Sequence, residues 1–158
     1  MALMIREIDA NNFKEVYNFN LFHEYSFRDS SDEYFPDTEE RRIKQSTNII
    51  DKILKGDQKY YCIAAFDQEN MIAIHFLDRY EIDRQPACHV HGLWVHEDYR
   101  SKGLGKELKS LGEAWAKKMG CNFMDSNVRA TNRKMISLNE SLGYEIVRIN
   151  YRKKLDQP

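Results

Sequence analysis

Between residues 88 and 119 the chain passes from a β-rich apolar run, Cys88 to His96, through Arg100-Ser101-Lys102-Gly103-Leu104-Gly105-Lys106 into Leu104, Leu108, Leu111, Trp115 and Met119, spaced every three or four residues. The first run reads as a strand and the last as a long amphipathic helix closed by Gly120. At such a junction the unpaired first-turn N–H groups and the helix dipole favour an anion, and glycine lets a phosphate approach the backbone. Two common phosphate loops are excluded. A Walker loop needs Gly where Arg100 stands and Ser or Thr where Glu107 follows Lys106, and a dinucleotide fingerprint needs a small residue at Leu108.

The flanking sequence predicts alternating elements. Leu3 to Ile8 is β-like, and Phe13, Val16, Tyr17 and Leu21 recur at helical spacing. Residues 28 to 40, with seven charges and Pro36, read as a loop before a second amphipathic helix marked by Ile43, Thr47, Ile50 and Leu54. Tyr60 to Phe66 and Met71 to Leu77 predict two strands joined by Asp67-Gln68-Glu69-Asn70, and a loop containing Pro86 precedes the strand Cys88 to His96. After the long helix come a strand at Cys121 to Val128, a short helix at Asn132 to Leu142 stopped by Gly143, and one or two final strands within Glu145 to Leu155.

Charge divides the chain. Residues 1 to 99 hold 11 Lys+Arg and 19 Asp+Glu, a balance of −8, whereas residues 100 to 158 hold 13 and 6, a balance of +7. A polyanion handled by the C-terminal part and a cation drawn to the N-terminal part would account for this, as would chance placement of solvated charges. No apolar run approaches the length of a membrane span, the first residues do not resemble a secretory signal, and Cys62, Cys88 and Cys121 form no CxxC pair. The expectation is one cytoplasmic domain, residues 1–158, without membrane or nucleic-acid partners. Arg148, Arg152, Lys153 and Lys154 then read as the solvated face of a terminal strand. Oligomeric state stays open, with a homodimer as one candidate.

Arg100, Gly103 and Gly105 match the Arg/Gln-x-x-Gly-x-Gly/Ala signature of the GNAT superfamily of N-acetyltransferases. The resemblance covers roughly residues 87 to 145, including Leu93-Trp94-Val95 and the stretch Asn132…Leu138…Leu142-Gly143-Tyr144. It implies a GNAT-like α/β (α+β) fold, with a central mixed, mostly antiparallel sheet of six to seven strands flanked by about four helices. It also implies acetyl-CoA as cosubstrate. Coenzyme A would be held by Leu93, Trp94 and Val95 along the strand, by Arg100, Ser101, Lys102, Gly103, Leu104, Gly105 and Lys106 in the loop, and by Asn132 and Asn139 beyond the helix. Many family members carry a tyrosine that protonates the departing thiolate where this chain has Asn139, so the general acid is unassigned.

An alkylammonium must lose a proton before it can attack a thioester. His89 and His91, two apart in one strand, point to the same face and titrate in the useful range. Their spacing resembles that of the paired histidines of arylalkylamine N-acetyltransferases, and they are the candidate proton relay; the alternative is polar filling of a half-buried strand. A His-x-His pair can also ligate a metal, but neither Cys88 nor Glu97 shares the strand face to supply a third ligand, so no metal is expected. In the family the acceptor approaches from the N-terminal helices, where Glu24, Tyr25, Phe27 and Asp29 combine carboxylates with aromatics suited to a cation. Aminoglycoside acetyltransferases are also similar in charge and ending. The function expected is acetyl transfer to the primary amine of a small cationic molecule, or of a peptide, by direct attack in a ternary complex. The rival is a non-catalytic acyl-CoA-binding module.

Overall fold

The computed structural model describes residues 2–30 and 38–156. In chain order the elements are β1 (Met4–Glu7), α1 (Phe13–Ser30), α2 (Glu39–Leu54), β2 (Tyr60–Asp67), β3 (Asn70–Ile82), β4 (Gln85–Val95), a single 3-10 turn (Glu97–Tyr99), α3 (Leu104–Lys118), β5 (Phe123–Ser126) and α4 (Arg133–Ser141). The sheet runs β1-β2-β3-β4-β5; its first three pairings are antiparallel, and β4 and β5 are parallel.

Both faces of the sheet are covered, and β2 shows how one sequence serves both. Its Cys62, Ala64 and Phe66 pack with Val16 and Phe19 of α1, Ile49 of α2, and Ile74 and Phe76 of β3. Its Ile63 and Ala65 turn the other way, to Leu104 and Leu108 of α3. This is the period-two alternation of a strand buried on both sides. Farther along, Leu77, Cys88 and Ala116 continue the α3 layer, flanked by Tyr61 and Trp115, whose rings stack at 4.9 Å.

Three expectations change. The β3–β4 connection is a tight hairpin whose tip residues, Asp83 and Arg84, both have positive φ (50° and 65°), the conformation that two-residue hairpins demand. Pro86 therefore lies at the start of β4, opposite Glu81, where its missing N–H is tolerated, and not in a loop. The loop expected from residue 28 begins later, because α1 runs to Ser30. The sheet has five strands, not six or seven: residues 145 to 156 form neither helix nor strand and are exposed throughout. A β-prone sequence becomes a strand only when a neighbour completes its hydrogen bonds, and none among the described residues does so here.

The register of β4 positions everything that follows. Phe76 pairs with Gly92 and Leu77 with Val90, so His91 is an extra residue with no partner across the ladder, a β-bulge. On its other side β4 pairs with β5 only from Ala87↔Phe123 to Val90↔Ser126. Beyond Val90 the two strands part. The edge of β4 from His91 to Val95 then faces a gap instead of a strand.

Candidate active site

The loop that follows β4 is shaped by two left-handed residues, Ser101 (φ 61°) and Gly103 (φ 86°). Gly103 is the N-cap of α3 and offers no side-chain acceptor to the first turn. The N–H groups of that turn are therefore open to an external anion, reinforced by the helix dipole. A Cβ added at Gly105 would sit 3.8 Å from Leu138 and Leu93, ordinary contact distance, so protein packing does not require this glycine. Arg100 braces the loop: its Nε donates to the Val95 carbonyl (2.8 Å) and its guanidinium lies over the Trp94 ring. Lys102 donates to the Asp98 carbonyl (2.8 Å). Lys106 is exposed at the start of α3. Anion-accepting amides beside the open edge of β4 fit a pyrophosphate carrying a long amide-bearing arm.

Asn132 uses its side chain to cap α4, accepting from the Met135 N–H (3.2 Å). Asn139 is buried; its Nδ2 donates to Ser126 Oγ (3.3 Å), and its Oδ1 has no partner. That pairing sets Asn139 at the point where β4 and β5 separate. Leu93 packs on the α3 side, while Trp94 stacks on Phe22 of α1 at 4.5 Å.

On the α1 side of the sheet, His89 and His91 lie together, their ring centroids 5.0 Å apart and nearly perpendicular. His91 Nε2 is 3.1 Å from Asp78 Oδ1. Burial, and then the neighbouring His91, hold the His89 pKa below its ordinary value, with Asp78 and Asp125 opposing. Tyr80 stands edge-on to His89 and donates to Asp125 Oδ2 (2.7 Å); burial and that carboxylate push its pKa well up. Asp78, Tyr80, His89 and Asp125 line a recess of about 510 Å³ that also includes Glu81 and Arg148. Three carboxylates against one guanidinium make it a cation-attracting recess.

Of the acceptor residues expected from sequence, Glu24 is engaged with Arg41 of α2 (3.4 Å), and Tyr25 packs on Trp94, ring centroids 5.6 Å apart. The side chains of Phe27 and Asp29 lie outside the described part of the structure. The carboxylates nearest His89 are instead those of Asp78 and Asp125, which no local pattern singles out. Asp78 is found only through the β3–β4 register, and Asp125 only because the parallel pairing sets it beside His89. His23 is also absent from the sequence reading. It sits one helical turn after Phe19 on the buried stripe of α1, its Nε2 3.4 Å from the His91 carbonyl, and burial lowers its pKa to about 4.

This combination, a sheet that opens beside an anion-binding helix start with a histidine pair at the opening, defines an acyl-CoA-dependent transferase. Residues 18–144 match the model of the "Acetyltransferase (GNAT) family", and the chain belongs to that family. It is accordingly an N-acetyltransferase of GNAT type, using acetyl-CoA as cosubstrate. An aminoglycoside N(6')-acetyltransferase type 1 of Acinetobacter genomosp. 13 is 29% identical over 126 residues, 76% of this chain and 84% of that protein. The Salmonella typhimurium protein of the same name is 28% identical over 113 residues, 66% of this chain and 76% of that one. Among solved structures, AAC(6')-Iy in complex with the bisubstrate analogue CoA-S-monomethyl-acetylneamine superposes with a TM-score of 0.73 at 17% identity, covering 98% of this chain and 100% of that one. The aminoglycoside 6'-N-acetyltransferase AAC(6')-Ih from Acinetobacter baumannii gives 0.68 at 20% identity, covering 99% and 100%.

Proposed function

We propose that the protein acetylates a primary amine of a small, multiply cationic molecule, with an amino sugar of the aminoglycoside kind as the leading acceptor class. The observation that carries this reading is the acidic recess of Asp78, Glu81 and Asp125 around His89, beside the gap between β4 and β5. A cationic acceptor is drawn in by the carboxylates, and several amines on one molecule can engage them together. The names of the curated relatives point to the same class.

The amine nitrogen must be neutral when it attacks. Its proton passes, directly or through water, to the His89–His91 pair, where Asp78 Oδ1 lies 3.1 Å from His91 Nε2. The new C–N bond then forms as the C–S bond breaks; coenzyme A leaves as thiolate, and the acylated nitrogen gives its second proton to water. The loop amides from Ser101 to Lys106 hold the pyrophosphate, and the open edge of β4 at Leu93 and Val95 bonds the pantetheine arm. Asn139 offers an amide to the sulfur but no acidic proton, so water protonates the thiolate.

The test is thiol release from acetyl-CoA across a panel of aminoglycosides, polyamines, arylalkylamines and N-terminal peptides. Turnover confined to polycationic amines, weakened by Asp78→Asn and Asp125→Asn, supports the reading. Turnover of singly charged arylalkylamines alone would reject the acidic recess as the acceptor site. Silence across the panel with coenzyme A still bound would favour an acyl-CoA-binding module.

A further inference from the structure

Lys109 of α3 is a cation that the fold buries and leaves uncompensated: its Nζ has no hydrogen bond or ion pair among the described residues. The helix offers it a carboxylate one turn on, Glu113, but that group pairs with Lys117 (2.9 Å) at the exposed surface. His75 of β3, fully buried against α3 at Gly112, is no counter-charge either. Its Nδ1 donates to the Gly92 carbonyl (3.1 Å), and burial and the charge of Lys109 hold its pKa down at about 3. What faces Nζ is the Tyr144 ring, its centroid 4.7 Å away. Cys88 of β4 and Asp125 of β5 bear on Tyr144, while burial alone lowers the Lys109 pKa, to about 8. The side chain is therefore still mostly an ammonium at neutral pH. A buried ammonium without a counter-charge is costly, and proteins break local rules of this kind chiefly at functional sites.

The neighbours of Lys109 set it where β4 and β5 part. One turn earlier on the same face of α3, a Cβ at Gly105 would touch Leu93 of β4 and Leu138 of α4, so this face looks into the space between that strand and that helix. His75 reaches Gly92, beside the bulge, and the Tyr144 N–H donates to the Asn139 carbonyl (3.0 Å). Asn139 in turn holds Ser126, the last residue of β5, and its own Oδ1 has no partner among the described residues.

We infer that Lys109 is the counter-charge for the thiolate released when the acetyl group is transferred. The inference rests on the acetyl transfer proposed above, in which Asn139 stands beside the sulfur and has no acidic proton to give. As the C–S bond breaks, its electron pair goes to sulfur. The ammonium of Lys109 stabilises that negative charge and keeps its own proton, and water protonates the sulfur afterwards. A fixed charge in a low-dielectric interior acts on developing charge without having to reorganise. A resident carboxylate would neutralise Lys109 before the thiolate formed, which accounts for its lack of a partner.

The test titrates the thiol of bound coenzyme A, followed by the ultraviolet absorbance of its thiolate, in the wild-type protein and in Lys109→Met. The nearby cation is expected to hold that thiol about one unit or more below its value in the variant. The single-turnover rate of acetyl transfer is expected to fall about tenfold or more in Lys109→Met, the equivalent of such a shift, with acetyl-CoA affinity within about twofold. Urea unfolding of the variant separates this loss from misfolding, since removal of a buried charge should leave the fold at least as stable. Equal thiol pKa values in the two proteins, or an unchanged single-turnover rate, would overturn the inference. The titration needs no acceptor. A lowered thiol pKa in a protein that acetylates no amine would reject the proposed acceptors and support the counter-charge, whereas acetylation of polycations with equal thiol pKa values would reject the counter-charge alone.

Discussion

His91 Nε2 lies 3.1 Å from Asp78 Oδ1 because His91 is the one residue of β4 with no partner across the ladder, which turns its ring toward the strand that Asp78 occupies. If this pair carries the amine proton, His89→Ala and His91→Ala lower kcat/KM by on the order of 10²-fold or more. The His89 pKa is depressed, so this imidazole remains an active base below its ordinary titration range. The acidic limb of the pH–rate profile should therefore lie below pH ~6.5, the unperturbed imidazole value. Unchanged rates and an unchanged profile in both variants would rule the relay out.

The start of α3 separates ligand binding from folding. A Cβ at Gly105 would find ordinary contacts at 3.8 Å, so Gly105→Ala should leave the thermal midpoint nearly unchanged. Alanine also occurs in the signature at this position, so the acetyl-CoA KM of Gly105→Ala should stay within about twofold, whereas Lys106→Glu, at an exposed position of the loop, is expected to raise it about tenfold or more, equivalent to ~1.4 kcal/mol. Titration calorimetry with coenzyme A checks it directly.

Gly92 behaves in the opposite way. A Cβ there would lie 2.7 Å from His23 Cδ2 and 3.0 Å from Ser26 Oγ, so α1 can pack this closely on β4 only over a glycine. Gly92→Ala should cost about 1–3 kcal/mol in chemical denaturation, the usual range for overpacking. It should also disturb His91, the next residue.

Lys109 is 2% exposed, and among the described residues its Nζ has no hydrogen bond or ion pair, only the face of the Tyr144 ring at 4.7 Å. Burial lowers its pKa to about 8 from 10.5. Between those two values the unfolded chain binds the proton more tightly, so folding stability rises as pH climbs from 8 to 10.5, and below pH 8 the full cost remains. Lys109→Met should stabilise the protein at pH 7 by up to about 3 kcal/mol, the linkage equivalent of the shift. Urea unfolding should show the advantage shrinking at alkaline pH; an advantage that did not depend on pH would point to packing instead of charge.

Acid should act through His23 and His75. Burial lowers their pKa values to about 4 and about 3 from 6.5, so both are neutral in the fold when the unfolded chain is already protonated. The stability they allow is complete above pH 6.5 and is lost as pH falls toward 4. Denaturation curves from pH 7 to 4 should show this decline, and His75→Phe should reduce it, whatever its effect at pH 7.

The glycine loop, the helix it opens and most of the strands were legible because their signals are local: spacing, capping and left-handed turns. The Asp83-Arg84 hairpin was not, because the turn has no glycine and Arg84 is not a usual occupant of positive φ. The segment from 145 to 155 has the composition of a strand, but whether it becomes one depends on a neighbour that its own sequence does not specify. Within the site, His89 and His91 stood out by spacing, whereas Asp78, Asp125 and His23 come to them only through strand register and helix packing.

The bulge at His91 implies that the chemistry here is more sensitive to a change in length than to many changes in letter. Removing that one residue would let the β3–β4 ladder run on without interruption, with Val90 still opposite Leu77 and Gly92 still opposite Phe76, so every remaining side chain would keep its face. A protein altered in this way could keep its core and its hydrogen bonds, yet lose both the imidazole and the bend that a bulge gives its strand, at the point where β4 parts from β5.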